Sequence, residues 1–333
     1  MSGRILIPLD GSVLAEKALP YALELAQSLD ADLFLMQVVR IKPPHTETVD
    51  REIEVLEEAN HYLLNVRKII TDPAYGPAIS PERVQTLVTY GDTIEQLVDL
   101  IPFERVDLIV MTTHTRAGLS RLALGSVAIG LVRRLGQPVI LILPPDTEQD
   151  LPLEEIIRQP ERWKAGPQRR VLVTLDGSVE AEAVLEPAVK LAHRLQATLY
   201  LLRVITVYTP ADYTLPNSYY AGYNVPEMKK ENQQRREEAY RYLDEVQARL
   251  KEPELDIIKG VRTGEPANEI VSYARQTQTD LLVMATHARG RLGHALLGSV
   301  AEEVLRTSHI PVMVLHSTQA APTPKETGKA LVS

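Results

Sequence analysis

The stretch DLIVMTTHTRAGLSRLALGSVA, residues 107–128, recurs as DLLVMATHARGRLGHALLGSVA, residues 280–301, with 13 of 22 positions identical. A second block, RILIPLDGSV at residues 4–13, recurs as RVLVTLDGSV at residues 170–179, and seven of its ten positions match. Both blocks return in the same order, so the repeating unit is about 145 residues, the size of a domain and not of a solenoid repeat. The chain therefore reads as a tandem duplication: residues 1–144 form the first domain, 145–168 a connector, 169–316 the second domain and 317–333 a tail. The connector is placed by its prolines and mixed charge without a full amphipathic period, and the tail by its Ala/Pro/Thr/Lys content.

Within each repeat, short apolar runs alternate with segments of helical period, the pattern of βα units around a buried parallel sheet. The runs are Ile5–Leu9, Leu33–Val39, Val84–Val88, Leu108–Met111 and Val139–Leu143, then Val171–Leu175, Leu199–Val207, Leu255–Ile258, Leu281–Met284 and Val312–Leu315. Ala18, Ala22, Leu25 and Leu29 share one helical face, as do Leu56, Ala59, Leu63, Val66 and Ile70. The expected fold is α/β, with two tandem, open, mainly parallel five-stranded sheets covered by helices on both faces. Pro20 and Pro187 predict a kink or a late helix start. Residues 41–49 and 208–223 read as irregular, the second holding five of the 13 tyrosines and so open to two readings, a lid or a loop packed on its own domain.

Composition narrows the function. The 333 residues carry 36 Lys+Arg against 44 Asp+Glu, a formal charge of −8, and no run of five basic residues, which argues against nucleic acid as a partner. The absence of cysteine excludes disulfides, thiol redox chemistry, Fe–S ligation and Cys-based zinc sites. No 18 consecutive apolar residues occur, so neither a membrane span nor a signal peptide is expected and the cytoplasm is the expected compartment. No H-E-x-x-H spacing, Walker string or G-x-S-x-G elbow is present, so the expectation is no metal site of its own and no catalytic group.

In open α/β sheets, ligands bind beyond the carboxyl ends of the strands at the switch point. Asp10-Gly11-Ser12 and Asp176-Gly177-Ser178 fall there. Each Asp can accept from a ribose hydroxyl, hold water on Mg²⁺ or cap the next helix; Ser12 and Ser178 are better placed as caps, which leaves the carboxylates for another task. A second constellation runs from a strand through a Thr-His-x-Arg loop to Gly125-Ser126 and to Gly298-Ser299. A helix N-terminus there offers free N–H groups, a partial positive charge and a hydroxyl to a phosphate. His114 and His287 can touch phosphate or hold the loop by a hydrogen bond, and Arg116 and Arg289 can pair with a triphosphate or pack on a helix.

On these motifs each half resembles the universal stress protein family, and the whole chain looks like a tandem member. That family's nucleotide pattern, Gly-x2-Gly-x9-Gly-Ser/Thr after the fourth strand, falls on Thr112, Thr115, Gly125 and Ser126 in the first repeat. In the second it falls on Ala285, Ala288, Gly298 and Ser299. The spacing and the closing Gly-Ser are kept, and both leading glycines are replaced in both repeats. By the same alignment Pro8, Asp10 and Val38, and Thr174, Asp176 and Val204, match positions that hold adenine and ribose in ATP-binding relatives. Gly177, Thr286, His287, Arg289 and Val300 complete the second set, and Arg116 the first.

The resemblance implies binding of ATP or a related adenine nucleotide, with Mg²⁺ arriving only on the nucleotide. It implies a stress-response regulator without a catalytic residue, whose protein partner is unknown. Alanine tolerates a close phosphate approach better than β-branched threonine, which ranks the second repeat's site above the first. The resemblance also implies an internal pseudo-dimer through Val139–Leu143 and Val312–Leu315, and two chains able to associate as a homodimer. Two other readings stay open: a nucleotide-free interaction scaffold, and a slow ATP hydrolase using His287 and Asp176.

Overall fold

The computed structural model describes residues 3–40, 49–76, 78–113, 125–144, 151–158, 169–206, 225–286 and 297–316. The aromatic segment 208–223, most of 41–49, the two Thr-His-x-Arg loops and the tail lie outside them.

The first repeat builds five strands, β1 (Arg4–Leu9), β2 (Asp32–Val39), β3 (Val84–Tyr90), β4 (Leu108–Thr112) and β5 (Val139–Ile142). Its helices are α1 (Val13–Glu16), α2 (Leu19–Leu29), α3 (Val49–Thr71), α4 (Thr93–Phe103) and α5 (Ser126–Arg134). A further helix, α6 (Leu153–Arg158), follows, and the second repeat gives β6 (Arg170–Thr174), β7 (Thr198–Ile205), β8 (Ile257–Thr263), β9 (Leu281–Thr286) and β10 (Val312–His316). Its helices are α7 (Val179–Glu182), α8 (Leu185–Leu195), α9 (Val225–Leu250), α10 (Pro266–Gln276) and α11 (Ser299–Ser308).

The strands form one ten-stranded sheet in the order β3-β2-β1-β4-β5-β10-β9-β6-β7-β8. Every pairing is parallel except the central one, where Val312, Met313 and Val314 of β10 lie antiparallel to Leu141, Ile140 and Val139 of β5. The two expected five-stranded sheets meet through β5 and β10, the strands expected to pair, and run on as one: the last strand of each repeat carries unpaired backbone groups on its outer edge, and pairing the two edges satisfies both. Alternate residues feed two layers. Ile5, Ile7, Leu33, Leu35, Leu108 and Val110 pack under α2 and α3, whereas Leu6, Phe34, Met36, Ile109 and Met111 pack with Leu97, Leu131 and Val132 of α4 and α5. The second repeat distributes Leu199 and Leu201 against Leu202, Leu282 and Met284 in the same way. Across the halves α2 packs on α8, and Arg169 binds Glu24 and donates to Ser28 Oγ at 3.1 Å.

The proline expectation takes the form of a late start: α1 stops at Glu16, and α2 begins at Leu19 with Pro20 in its first turn, where the missing N–H costs nothing. Two details differ from the sequence reading. Strand β8 begins at Ile257, with Leu255 buried ahead of it, because Lys259 and Arg262 of an edge strand break the apolar run. The proline-rich connector contains α6, whose Leu153, Ile156 and Ile157 are buried against α1, α2 and α3 of the first repeat.

Candidate functional site at the strand ends

In each repeat the sheet order reverses between the strand that starts it and its fourth strand, β1 beside β4 and β6 beside β9. The chain leaving β1 enters the layer of α1 and α2, and the chain leading to α5 returns to the opposite layer. A crevice at the carboxyl ends follows from that divergence.

Asp10 and Asp176 stand on its rim. Ser12 Oγ accepts from the Ala15 N–H at 3.1 Å and Ser178 Oγ accepts from the Ala181 N–H at 3.1 Å, so the serines cap α1 and α7. The carboxylates are not left aside by this arrangement. Asp10 Oδ1 accepts from the Ser12 N–H at 3.0 Å and from Ser12 Oγ at 2.6 Å, and Asp176 Oδ1 accepts from Ser178 at 2.9 Å and 2.5 Å. Each Asp and Ser therefore form one rigid unit, which fixes the carboxylate at the crevice. Gly177 between them has φ +90°, and a Cβ there would stand 2.8 Å from Nη2 of Arg203. The Arg203 guanidinium lies over the Tyr242 ring at 4.7 Å.

Pro8 pairs with Met36 within β1 and β2, Val38 pairs with Thr89, Thr174 pairs with Leu202, and Val204 pairs with Arg262. These residues therefore line up at the carboxyl end of each half-sheet. Thr112 ends β4 and pairs with Ile142; Ala285 and Thr286 end β9 and pair with Leu315 and His316. Gly125 precedes α5 and Gly298 precedes α11, opened by Ser126 and by Ser299 and Val300. His114, Thr115, Arg116, His287, Ala288 and Arg289 lie outside the described residues.

The two Gly-Ser caps differ. Gly298 has φ +85° and ψ 135°, a conformation that side chains disfavour, while Gly125 has φ −56° and ψ 138°, which any residue adopts. One pair of groups was visible in the repeat and only half read from it. Thr113 and Thr286 are equivalent residues, 2% and 3% exposed, and among the described residues neither Oγ1 has a hydrogen-bond partner. By strand alternation both continue the row of Met111 and of Met284, on the face that carries α5 and α11. A buried hydroxyl without a partner is costly, and its presence at the same place in both repeats fits a group that accepts a ligand. The identity Thr113 = Thr286 within the repeat was the sequence signal for it. Among the described residues there is no cluster of three or more His, Asp or Glu suited to a metal, and no helix long and apolar enough to cross a membrane.

Fold and crevice together define a class: a duplicated, doubly wound α/β protein with a strand-end crevice in each half. The chain belongs to the universal stress protein family, whose family model matches residues 1–142 and 168–316, once per repeat. It is 24% identical over 323 residues to a universal stress protein of Mycolicibacterium smegmatis, covering 93% of this chain and 96% of the relative. It is 30% identical over 163 residues to one from Methanocaldococcus jannaschii, covering 49% of this chain and 88% of the relative. A universal stress protein structure from Archaeoglobus fulgidus superposes with a TM-score of 0.63 at 18% identity, covering 95% and 99% of the two chains.

Proposed function

We propose that this universal stress protein binds an adenine nucleotide at the carboxyl ends of its strands, with the stronger site in the second repeat, and that occupancy biases its conformation or partner binding. The observation that carries the ranking is Gly298, held at φ +85° ahead of Ser299 in a conformation open to glycine, where Gly125 of the first repeat adopts one that any residue can take. A glycine-only turn lets backbone come close to a ligand. The Gly298 turn brings the α11 N-terminus, the Ser299 hydroxyl and the buried Thr286 hydroxyl to one side of the crevice as phosphate partners. Asp176, on the opposite rim, accepts from a ribose hydroxyl, and Thr174 and Val204 provide the wall for the base.

The group fits these residues despite the missing glycines, because Thr286, beside Ala285 in the first glycine's place, offers a buried hydroxyl with no partner among the described residues. Magnesium would enter with the phosphates, where it neutralises their charge. No group transfer is required: a regulator needs only different nucleotide affinities in two states. The two repeats act as a pseudo-dimer joined at β5 and β10, with 1–144 and 169–316 as the two domains. The rival reading, a nucleotide-free scaffold, draws on Ala285, Ala288, Thr112 and Thr115 in the places of the leading glycines.

A thermal denaturation series with and without ATP·Mg²⁺ separates them. A ligand that binds only the native state must raise the midpoint, so nucleotide binding predicts a rise that saturates with ATP and shrinks in Thr286→Val. No rise at any ATP concentration, in protein shown to carry no nucleotide beforehand, supports the scaffold.

A further inference from the structure

The two repeats have treated one carboxylate in opposite ways. In the second, Glu182 of α7 accepts from Arg249 Nη2 at 2.8 Å, and that hydrogen bond holds its carboxyl below the ordinary range. In the first, the equivalent Glu16 of α1 is only 8% exposed, and the helix position of Arg249 is taken by the buried Ile69. The cation Arg203 beside Tyr242 is likewise replaced, by Gln37, whose Oε1 is buried without a partner. Both cations are gone and the acid remains.

Helix α6 packs on α1, the helix that carries Glu16. Leu153, Ile156 and Ile157 seat this single turn and a half on α1, α2 and α3; Arg158 stacks over Tyr75 at 5.2 Å, and the Ile157 carbonyl oxygen lies 3.2 Å from where a Cβ on Gly76 would stand. Three titratable groups act on Glu16 from the elements around it. Asp10 reaches it from the turn after β1, Tyr62 from α3 and Glu154 from α6 itself. Lys17, next in the chain, is buried too. The Tyr62 hydroxyl is buried beside the carboxyl. Burial pushes the Glu16 carboxyl above its ordinary range, the Tyr62 hydroxyl pulls the other way, and Glu154 and Asp10 add to the rise.

We propose that α6 is a proton-gated strap on the first repeat, closed over Glu16 while that carboxyl is neutral and released when it ionises. An ionised Glu16 under the closed strap faces Glu154 and Asp10, and among the described residues no arginine takes the place that Arg249 holds beside Glu182; release of α6 admits water to it. Since α6 lies between β5 and β6 in the chain, release also lengthens the tether between the repeats. Asp10, which Ser12 fixes at the crevice, senses the same charge, so the strap links pH to the first repeat and leaves the second insensitive.

Hydrogen exchange of residues 153–158 in the full chain, expressed as protection factors to remove the intrinsic pH dependence, tests this. Linkage to one proton predicts a loss of protection of up to about tenfold per pH unit across the ionisation. Wild type should lose protection as pH rises from the ordinary carboxylate range through the raised native value, Glu16→Gln should stay level, and Glu182→Gln should behave as wild type. Level protection in wild type overturns the proposal, and so does a loss that persists in Glu16→Gln. Should Glu16→Gln fail to fold, Glu154→Gln on the half-exposed side of α6 decides: a smaller loss supports the strap, an unchanged one overturns it.

Discussion

Gly298 and Gly125 hold the same place in the repeat and adopt different backbones, so alanine should separate them. Gly298→Ala forces a side chain into a glycine region at a cost of about 1–3 kcal/mol, whereas Gly125→Ala is expected to be close to neutral; urea unfolding of the two variants measures the difference. Glu16 gives a prediction in pH. Its native carboxyl binds a proton more tightly than the same group in the unfolded chain. Between the ordinary carboxylate range and the raised native value the folded protein therefore holds more protons, and stability is full below that window and falls as pH rises through it. Glu16→Gln should flatten this fall in denaturation midpoints measured from acid to neutral pH. At this scale the sequence disclosed identities but not conformations. Asp10 and Ser12 could be assigned to the crevice because they follow an apolar run, yet the bond that ties carboxylate to serine is a property of the turn. Arg203 was illegible for the same reason: it sits in an apolar strand, and only the close approach of Gly177 reveals what it supports.

At the scale of elements, period carried most of the information. Ten strands and their covering helices follow from alternating apolar runs because a parallel strand is buried on both faces. The exceptions have physical causes. Strand β8 is an edge strand carrying Lys259 and Arg262, the usual protection of an open edge, so its apolar run, Leu255–Ile258, marks only its start. Helix α6 is too short for a helical period to emerge, and its burial comes from a surface supplied by α1, α2 and α3. If α6 is part of the first repeat's core, Ile157→Ala should destabilise the chain by about 2–5 kcal/mol, the range for a buried aliphatic truncation. A change within the scatter expected of a solvent-exposed position would show instead that the segment is only a connector.

The whole molecule is organised by duplication. Internal identity announced two repeats, and the antiparallel meeting of β5 and β10 turns them into one sheet whose inner edges are satisfied. Val139, Ile140, Leu141, Val312, Met313 and Val314 are all nearly inaccessible at that seam. Met313→Glu places an unpaired charge there, and the expected outcome is a split of thermal unfolding into two transitions, read by calorimetry, as each half loses its partner edge. Duplication also lets each repeat serve as the other's control. They share Asp-Gly-Ser, the Gly-Ser residues and the buried threonine; they differ in backbone at Gly298 and in residue at Arg203 and Arg249, the positions where binding and regulation would diverge.

The central claim, a nucleotide site in the second repeat, is tested most directly by calorimetric titration of ATP·Mg²⁺ into nucleotide-stripped protein, together with Gly298→Val and Gly125→Val. The account predicts saturable binding that Gly298→Val abolishes and Gly125→Val leaves in place. No heat at several temperatures from protein that released no nucleotide during purification, or binding lost only in Gly125→Val, would contradict it.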